Sequence, residues 1–83
     1  MIRLGQNEGE AMITHKLKIE ENYLENLKDG RKRVEIRYND RDYQLGDTLE
    51  FCDGKGVYSF MITHVHSGLG MAEGFVALSL VKL

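Results

Sequence analysis

Proline and tryptophan are absent from this 83-residue chain, and cysteine occurs once. Without proline no ring enforces a turn, so the nine glycines carry that role. Without tryptophan, any aromatic platform must come from the four Tyr or three Phe. The single Cys52 excludes an internal disulfide, and a free thiol suits a reducing compartment, so a cytoplasmic protein is expected. No apolar run reaches membrane-spanning length, so no membrane partner is expected. Met1 to Met12 lacks a basic segment followed by an apolar one, so no secretory signal is expected.

What is present is one small domain. A chain of this length has a thin core, and a closed or nearly closed sheet would help by removing exposed edges. The formal net charge is −2. From Lys28 to Arg41, however, six basic residues (Lys28, Arg31, Lys32, Arg33, Arg37, Arg41) face three acidic ones (Asp29, Glu35, Asp40). That stretch is +3 and the remainder −5. Concentrated positive charge attracts anions, which points to phosphate or nucleic acid. A solvated strand carrying its own ion pairs is the competing reading, because Glu35 lies between Arg33 and Arg37 on one face.

Residues 1–12 read as a loose leader and 13–83 as the folded domain. Ile13 to Ile19 alternates, with Ile13, His15, Leu17 and Ile19 on the apolar face of a half-buried strand. His15 is the odd member. It reads either as a hydrogen-bonded histidine at the end of a core or as a polar group at a pocket mouth. Glu20 to Asp29 reads as a helix with Tyr23, Leu24 and Leu27 in its apolar stripe. Glu20 is a poor N-cap, and Gly30 ends the helix in the left-handed region. Arg33 to Tyr38 forms the second strand, with Val34, Ile36 and Tyr38 expected to point inward. Asn39 to Asp42 is a turn cluster, and Gly46-Asp47 a tight turn. Thr48 to Cys52 is strand three, and Asp53 to Gly56 a hairpin loop. Val57 to His66 is strand four, apolar on both faces and so central or curved. Ser67 to Gly74 is a glycine-rich loop whose spacing is not the dinucleotide fingerprint. Phe75 to Val81 is strand five, expected to be buried on both sides or to close a barrel. The order predicts an α+β, mainly β fold: a small curved sheet or barrel of about five strands with one main helix at one end.

The pattern Gly30-x-Lys32-x-x-Glu35-x-Arg37 resembles the signature of ASCH domains, members of the PUA-like superfamily of small β-barrels. His15-x-Leu17-Lys18 and Tyr23 precede it. Asn39-Asp40-Arg41, Gly46-Asp47 and Gly74-Phe75-Val76 follow it. In that order they resemble one small bacterial and phage family whose function is unassigned. The likeness runs from about Thr14 to Val81. It implies a PUA-like barrel that binds RNA or a nucleotide-like ligand, with no cofactor. Carried over, Lys32 and Arg37 would contact phosphate or base edges. Glu35 would hold Arg37 or accept from a base amino group. Arg41 would add a phosphate contact, and Tyr38 or Tyr43 would stack on an unpaired base. The alternation places Tyr38 instead in core or rim packing.

Other ASCH proteins resemble amidohydrolases acting on an acylated cytidine, in which the signature Lys activates a Thr. That Thr position is Glu35 here, so the hydrolase reading requires a water-based variant with Lys32 and Glu35 as catalytic groups. An enzyme is therefore not the first expectation. A protein-interaction module using the acidic remainder of the surface is the third reading. His64-x-His66 could share a metal with Cys52 or His15, but Cys52 lacks a partner at ligand spacing, and no metal site is expected. Cys52 itself reads as a small packed residue, and the turn aspartates, Asp47 among them, as structural.

Overall fold

The computed structural model of the protein describes residues 12–83. The expected leader lies outside the described residues except for Met12, whose thioether lies against Gly46. Five strands and one helix follow: β1 (Thr14–Leu17), α1 (Glu21–Lys28), β2 (Val34–Tyr38), β3 (Thr48–Cys52), β4 (Val57–His66) and β5 (Phe75–Lys82). The fold is mainly β, with the strands in one curled sheet ordered β1-β3-β4-β5-β2.

β1 runs parallel to β3, from Thr14 opposite Thr48 to Leu17 opposite Phe51. The other neighbours are antiparallel. A parallel pair needs a long crossover, and α1 with β2 supplies it. Among the described residues β1 and β2 end the sheet without pairing, so the curl is a half-barrel, within the curved sheet or barrel that the sequence suggested. Across the gap, Arg37 Nη1 donates to the Lys18 carbonyl at 3.4 Å.

Alternation sets the core. Leu17, Leu49, Phe51, Phe60, Ile62, Val76, Leu78 and Leu80 point to the concave side, where Leu24 and Leu27 of α1 join them. Each such side chain contributes about 1.5–3 kcal/mol by leaving water. β4 is central as expected, and a register shift between Ile62 and His64 bends it. β5 differs from expectation, because only one of its faces is buried: Phe75 and Val81 on the other face are exposed. Cys52 is exposed at the end of β3, not packed.

The helix is one residue shorter at each end than its pattern. Glu20 makes no side-chain cap, consistent with its poor N-cap character. Gly30 has φ +82°, and its N–H donates to the Leu27 carbonyl while Lys32 N–H donates to Asn26. The chain thereby turns off the helix and enters β2. Tyr23 departs from the expected stripe: it is 47% exposed, whereas Leu24 and Leu27 are buried.

β2 is inverted relative to its sequence reading. Val34, Ile36 and Tyr38 are 40%, 60% and 58% exposed, whereas Glu35 is only 7% exposed. The alternation holds, but the charged face is the inner one. Tyr38 packs at the rim, edge-on to Phe75 with centroids 5.4 Å apart and against Gly74.

Candidate functional site

The inversion of β2 brings the signature side chains together under α1. The Glu35 carboxylate is clamped on both oxygens, Lys32 Nζ lying 2.8 Å from Oε1 and Arg37 Nη1 3.2 Å from Oε2. The carboxylate side chain is 10% exposed, and Lys32 and Arg37 are 32% and 25% exposed. The cations therefore reach solvent while their partner does not. Lys32 Nζ also sits 4.7 Å from the centroid of the Tyr23 ring, a cation–π contact. A cleft of about 340 Å³ is lined by Tyr23, Lys32, Val34, Glu35 and Ile36.

Consecutive residues of both strand faces line this cleft, so it runs along the edge of β2. Among the described residues, that edge has hydrogen-bonding groups with no neighbouring strand. Leu80 N–H donates to the Arg33 carbonyl, and Asn39 N–H to the Gly74 carbonyl. With the register of Glu35 opposite Leu78 and Arg37 opposite Val76, the odd-numbered residues of β2 bond to β5. The N–H and C=O groups of Val34 and Ile36 therefore face away from β5, toward the open edge. The cleft thus offers backbone donors and acceptors, a carboxylate, the Lys32 cation and an aromatic ring, with Arg37 held on the same carboxylate.

Behind Arg37 the polar groups continue inward. Tyr43 is 3% exposed and belongs to the core cluster. Burial raises the pKa of its hydroxyl, while the charges of Arg37 and Arg41 act in the opposite direction. His15 meets the Tyr43 ring edge-on at 4.8 Å and bonds through Nε2 to Asp47 Oδ2 at 2.8 Å. Asp47, fully buried, also accepts from the N–H groups of Ile13 and Gln44 at 3.2 and 3.1 Å. Tyr43 N–H in turn donates to Asn39 Oδ1 at 3.0 Å, which fixes the turn after β2.

Of the expected site residues, Lys32 and Glu35 therefore line one cleft, and Arg37 joins them only through its ion pair with Glu35. Arg41 is exposed and near enough to act on the Tyr43 hydroxyl electrostatically. The stacking role expected of Tyr43 is corrected: its ring is enclosed by core side chains and has no face for a base. His15 is likewise a buried, hydrogen-bonded core residue rather than a group at a pocket mouth. The residue that sequence reasoning missed is Tyr23, which periodicity assigned to the core. Its only signal was its place within the signature order.

The histidines of β4 are separated in role. His64 is exposed, and His66 Nε2 lies 2.8 Å from the Leu69 carbonyl of the glycine-rich loop. Among the described residues, no group of three or more His, Cys, Asp and Glu could hold a metal ion. No helix among them is long and apolar enough to cross a membrane.

The family model described as a domain of unknown function (DUF3850) matches residues 14–80. No curated protein matches the chain. The crystal structure of hypothetical protein PH0355 is similar in fold, with a TM-score of 0.64 at 20% identity. The match covers 87% of this chain and 100% of that one.

Proposed function

The chain belongs to the DUF3850 family, a domain of unknown function, and we propose that it is an ASCH-related, PUA-like binding domain for RNA or a nucleotide-like ligand. The ligand lies in the cleft between Tyr23 and the open edge of β2. The observation that carries this reading is the inversion of β2. Turning Val34 and Ile36 inward would bring each about 1.5–3 kcal/mol of burial. The strand instead buries Glu35 and holds two cations over it, an arrangement that contributes little to stability by comparison. A cleft that keeps charge at that expense is built to recognise something charged and polar.

The chemistry suits a nucleotide. The free carbonyls of the edge accept from base amino and imino groups, while Glu35 holds Lys32 and Arg37 in place. The edge N–H groups donate to base carbonyl and ring nitrogens. Tyr23 offers a stacking face, and Lys32 with Arg37 attracts phosphate. The hydrolase alternative finds no support in the cleft, because Glu35 stands at the hydroxyl position and both of its oxygens are engaged by cations.

Fluorescence anisotropy with labelled short single-stranded RNA, single-stranded DNA and mononucleotides tests the proposal at low and moderate salt. RNA or nucleotide should be preferred, with affinity falling as salt rises. The Lys32→Met/Glu35→Leu/Arg37→Met variant, which leaves no buried charge unpaired, should keep its circular dichroism spectrum and lose binding. Binding that ignores the triple substitution, or no binding at low salt, removes the proposal. Turnover of acylated nucleosides would replace it with the hydrolase reading.

A further inference from the structure

A second recess, of about 320 Å³, opens beside the cleft at the carboxyl end of α1. Its walls bring together Lys28 of α1, Lys32 and Arg33 before β2, and Lys82 at the end of β5, over a floor that includes Phe60 and Leu80. Two stretches distant in sequence, 28–33 and the end of β5, thus deliver four cations to one concavity in a chain whose formal charge is −2. One carboxylate, Asp29, shares the wall, and Arg31 neutralises it at 3.2 Å.

Two of the four cations have no carboxylate partner. Lys28 is bound to Glu25 at 3.2 Å and lies 4.1 Å from the Tyr58 ring centroid, and Lys32 is bound to Glu35. Among the described residues, Arg33 and Lys82 form no ion pair. Arg33 is nevertheless aimed, because its Nε donates to the Gly30 carbonyl at 3.3 Å and leaves its terminal nitrogens for another acceptor. A helix carboxyl end ordinarily repels anions. Here the carbonyls of Glu25, Asn26, Leu27 and Gly30 all accept hydrogen bonds from the chain that follows, which blunts that repulsion.

Lys32 lines both this recess and the Tyr23–Glu35 cleft. Each space is at the small end of ligand pockets, fit for one moiety of a nucleotide rather than for the whole. We propose that the Lys28–Arg33–Lys82 recess is a phosphate site and that one ligand spans the two spaces, its base in the cleft and its phosphate in the recess. This rests on the cleft reading above and narrows it: the ligand is a nucleotide and not a nucleoside. Arginine forks onto phosphate oxygens through paired N–H groups, and lysines add point charge.

Isothermal titration calorimetry with the four nucleosides, their 5′- and 3′-monophosphates, a dinucleoside monophosphate and inorganic phosphate tests this. The proteins are wild type, Arg33→Ala/Lys82→Ala, and Lys55→Ala as a control for a surface charge elsewhere. Arg33 and Lys82 are exposed, so the double variant should keep the native circular dichroism spectrum. In wild type a phosphate should tighten binding about tenfold or more over the nucleoside. That gain should vanish in Arg33→Ala/Lys82→Ala with nucleoside affinity unchanged, and persist in Lys55→Ala. The 5′, 3′ and dinucleoside arms distinguish a terminal phosphate from an internal diester. Equal affinity for nucleoside and nucleotide, or a phosphate gain that survives the double substitution, overturns the phosphate site and leaves the cleft standing. Inorganic phosphate bound through Arg33 and Lys82, with no binding of any nucleoside, overturns the spanning ligand and the cleft reading together.

Discussion

Removing Glu35 and removing the whole charged trio should have opposite consequences. Glu35→Ala leaves Lys32 and Arg37 facing each other without their shared anion. Stripping one partner from a fully buried ion pair costs about 3–5 kcal/mol. Lys32 and Arg37 are 32% and 25% exposed, so water recovers part of that cost. A loss of about 1–3 kcal/mol is the working figure. For a domain of this size that lowers Tm by roughly 5–20 °C. The triple variant Lys32→Met/Glu35→Leu/Arg37→Met leaves no unpaired charge and adds apolar contact. It also loses the Arg37 bond to the Lys18 carbonyl. Buried charge clusters replaced by apolar groups of like volume are often neutral or stabilising. The triple variant should therefore fall within about 1 kcal/mol of wild type. Urea and thermal denaturation followed by circular dichroism measure both. A triple variant less stable than Glu35→Ala would mean the opposite, that the charges hold the fold rather than serve a ligand.

Other consequences follow from the same geometry. Ile36→Lys should cost under about 0.5 kcal/mol in urea denaturation, since Ile36 is 60% exposed, whereas Leu78→Ala in the core should cost about 2–5 kcal/mol. Gly74→Ala places a methyl 2.6 Å from the Tyr38 ring at φ +84°, and should lower stability by about 1 kcal/mol or more. Burial raises the Tyr43 pKa above its usual 10.0, so its neutral form is the one the fold favours. Stability from this group is full below pH 10.0 and is lost as pH rises from there through the folded value. Tyr43→Phe should flatten that alkaline decline in melts taken from pH 9 upward to about pH 11.

The period of each strand was legible in the sequence, but which face turned inward was not always so. Leu49 with Phe51, and His15 with Leu17, alternate against polar neighbours, and their apolar sides are the buried ones. The same rule applied to Val34, Ile36 and Tyr38 chose the wrong face. β2 is an edge strand at the mouth of an open half-barrel, and its inner side meets Tyr43 and the end of β1 rather than a facing apolar layer. Inward-pointing charge on an edge strand also discourages edge-to-edge pairing, which adds a reason for the inversion. β5 misled in a related way: its apolar run suggested burial on two sides, yet Phe75, touched by Tyr38 at the rim, and Val81 stay 38% and 44% exposed.

Within the candidate site, Lys32, Glu35 and Arg37 lie close in sequence, and their spacing carried the signal. The contacts beneath them join distant positions. His15 and Asp47 are 32 residues apart, and neither shows in sequence that they bond to each other. Tyr43 looked available for stacking because it follows a polar turn. Its enclosure depends on His15 arriving from β1. Lys28, Arg33 and Lys82 became a cluster only when the end of β5 was laid beside the end of α1. Tyr23 was hidden by its agreement with the helical stripe, from which an eight-residue helix has turned it toward the cleft.

The most direct test of the central claim, that the inward charged face of β2 is a ligand site, is an NMR titration of the isotopically labelled protein with nucleoside monophosphates at low salt. Saturable shifts are expected in the amides of Val34 and Ile36, the Tyr23 ring and the side chains of Lys32 and Arg37, with the amide and Tyr23 shifts absent in Lys32→Met/Glu35→Leu/Arg37→Met. Shifts confined to the opposite surface, or none at all, would contradict it and leave the trio as an ion-pair network of the fold.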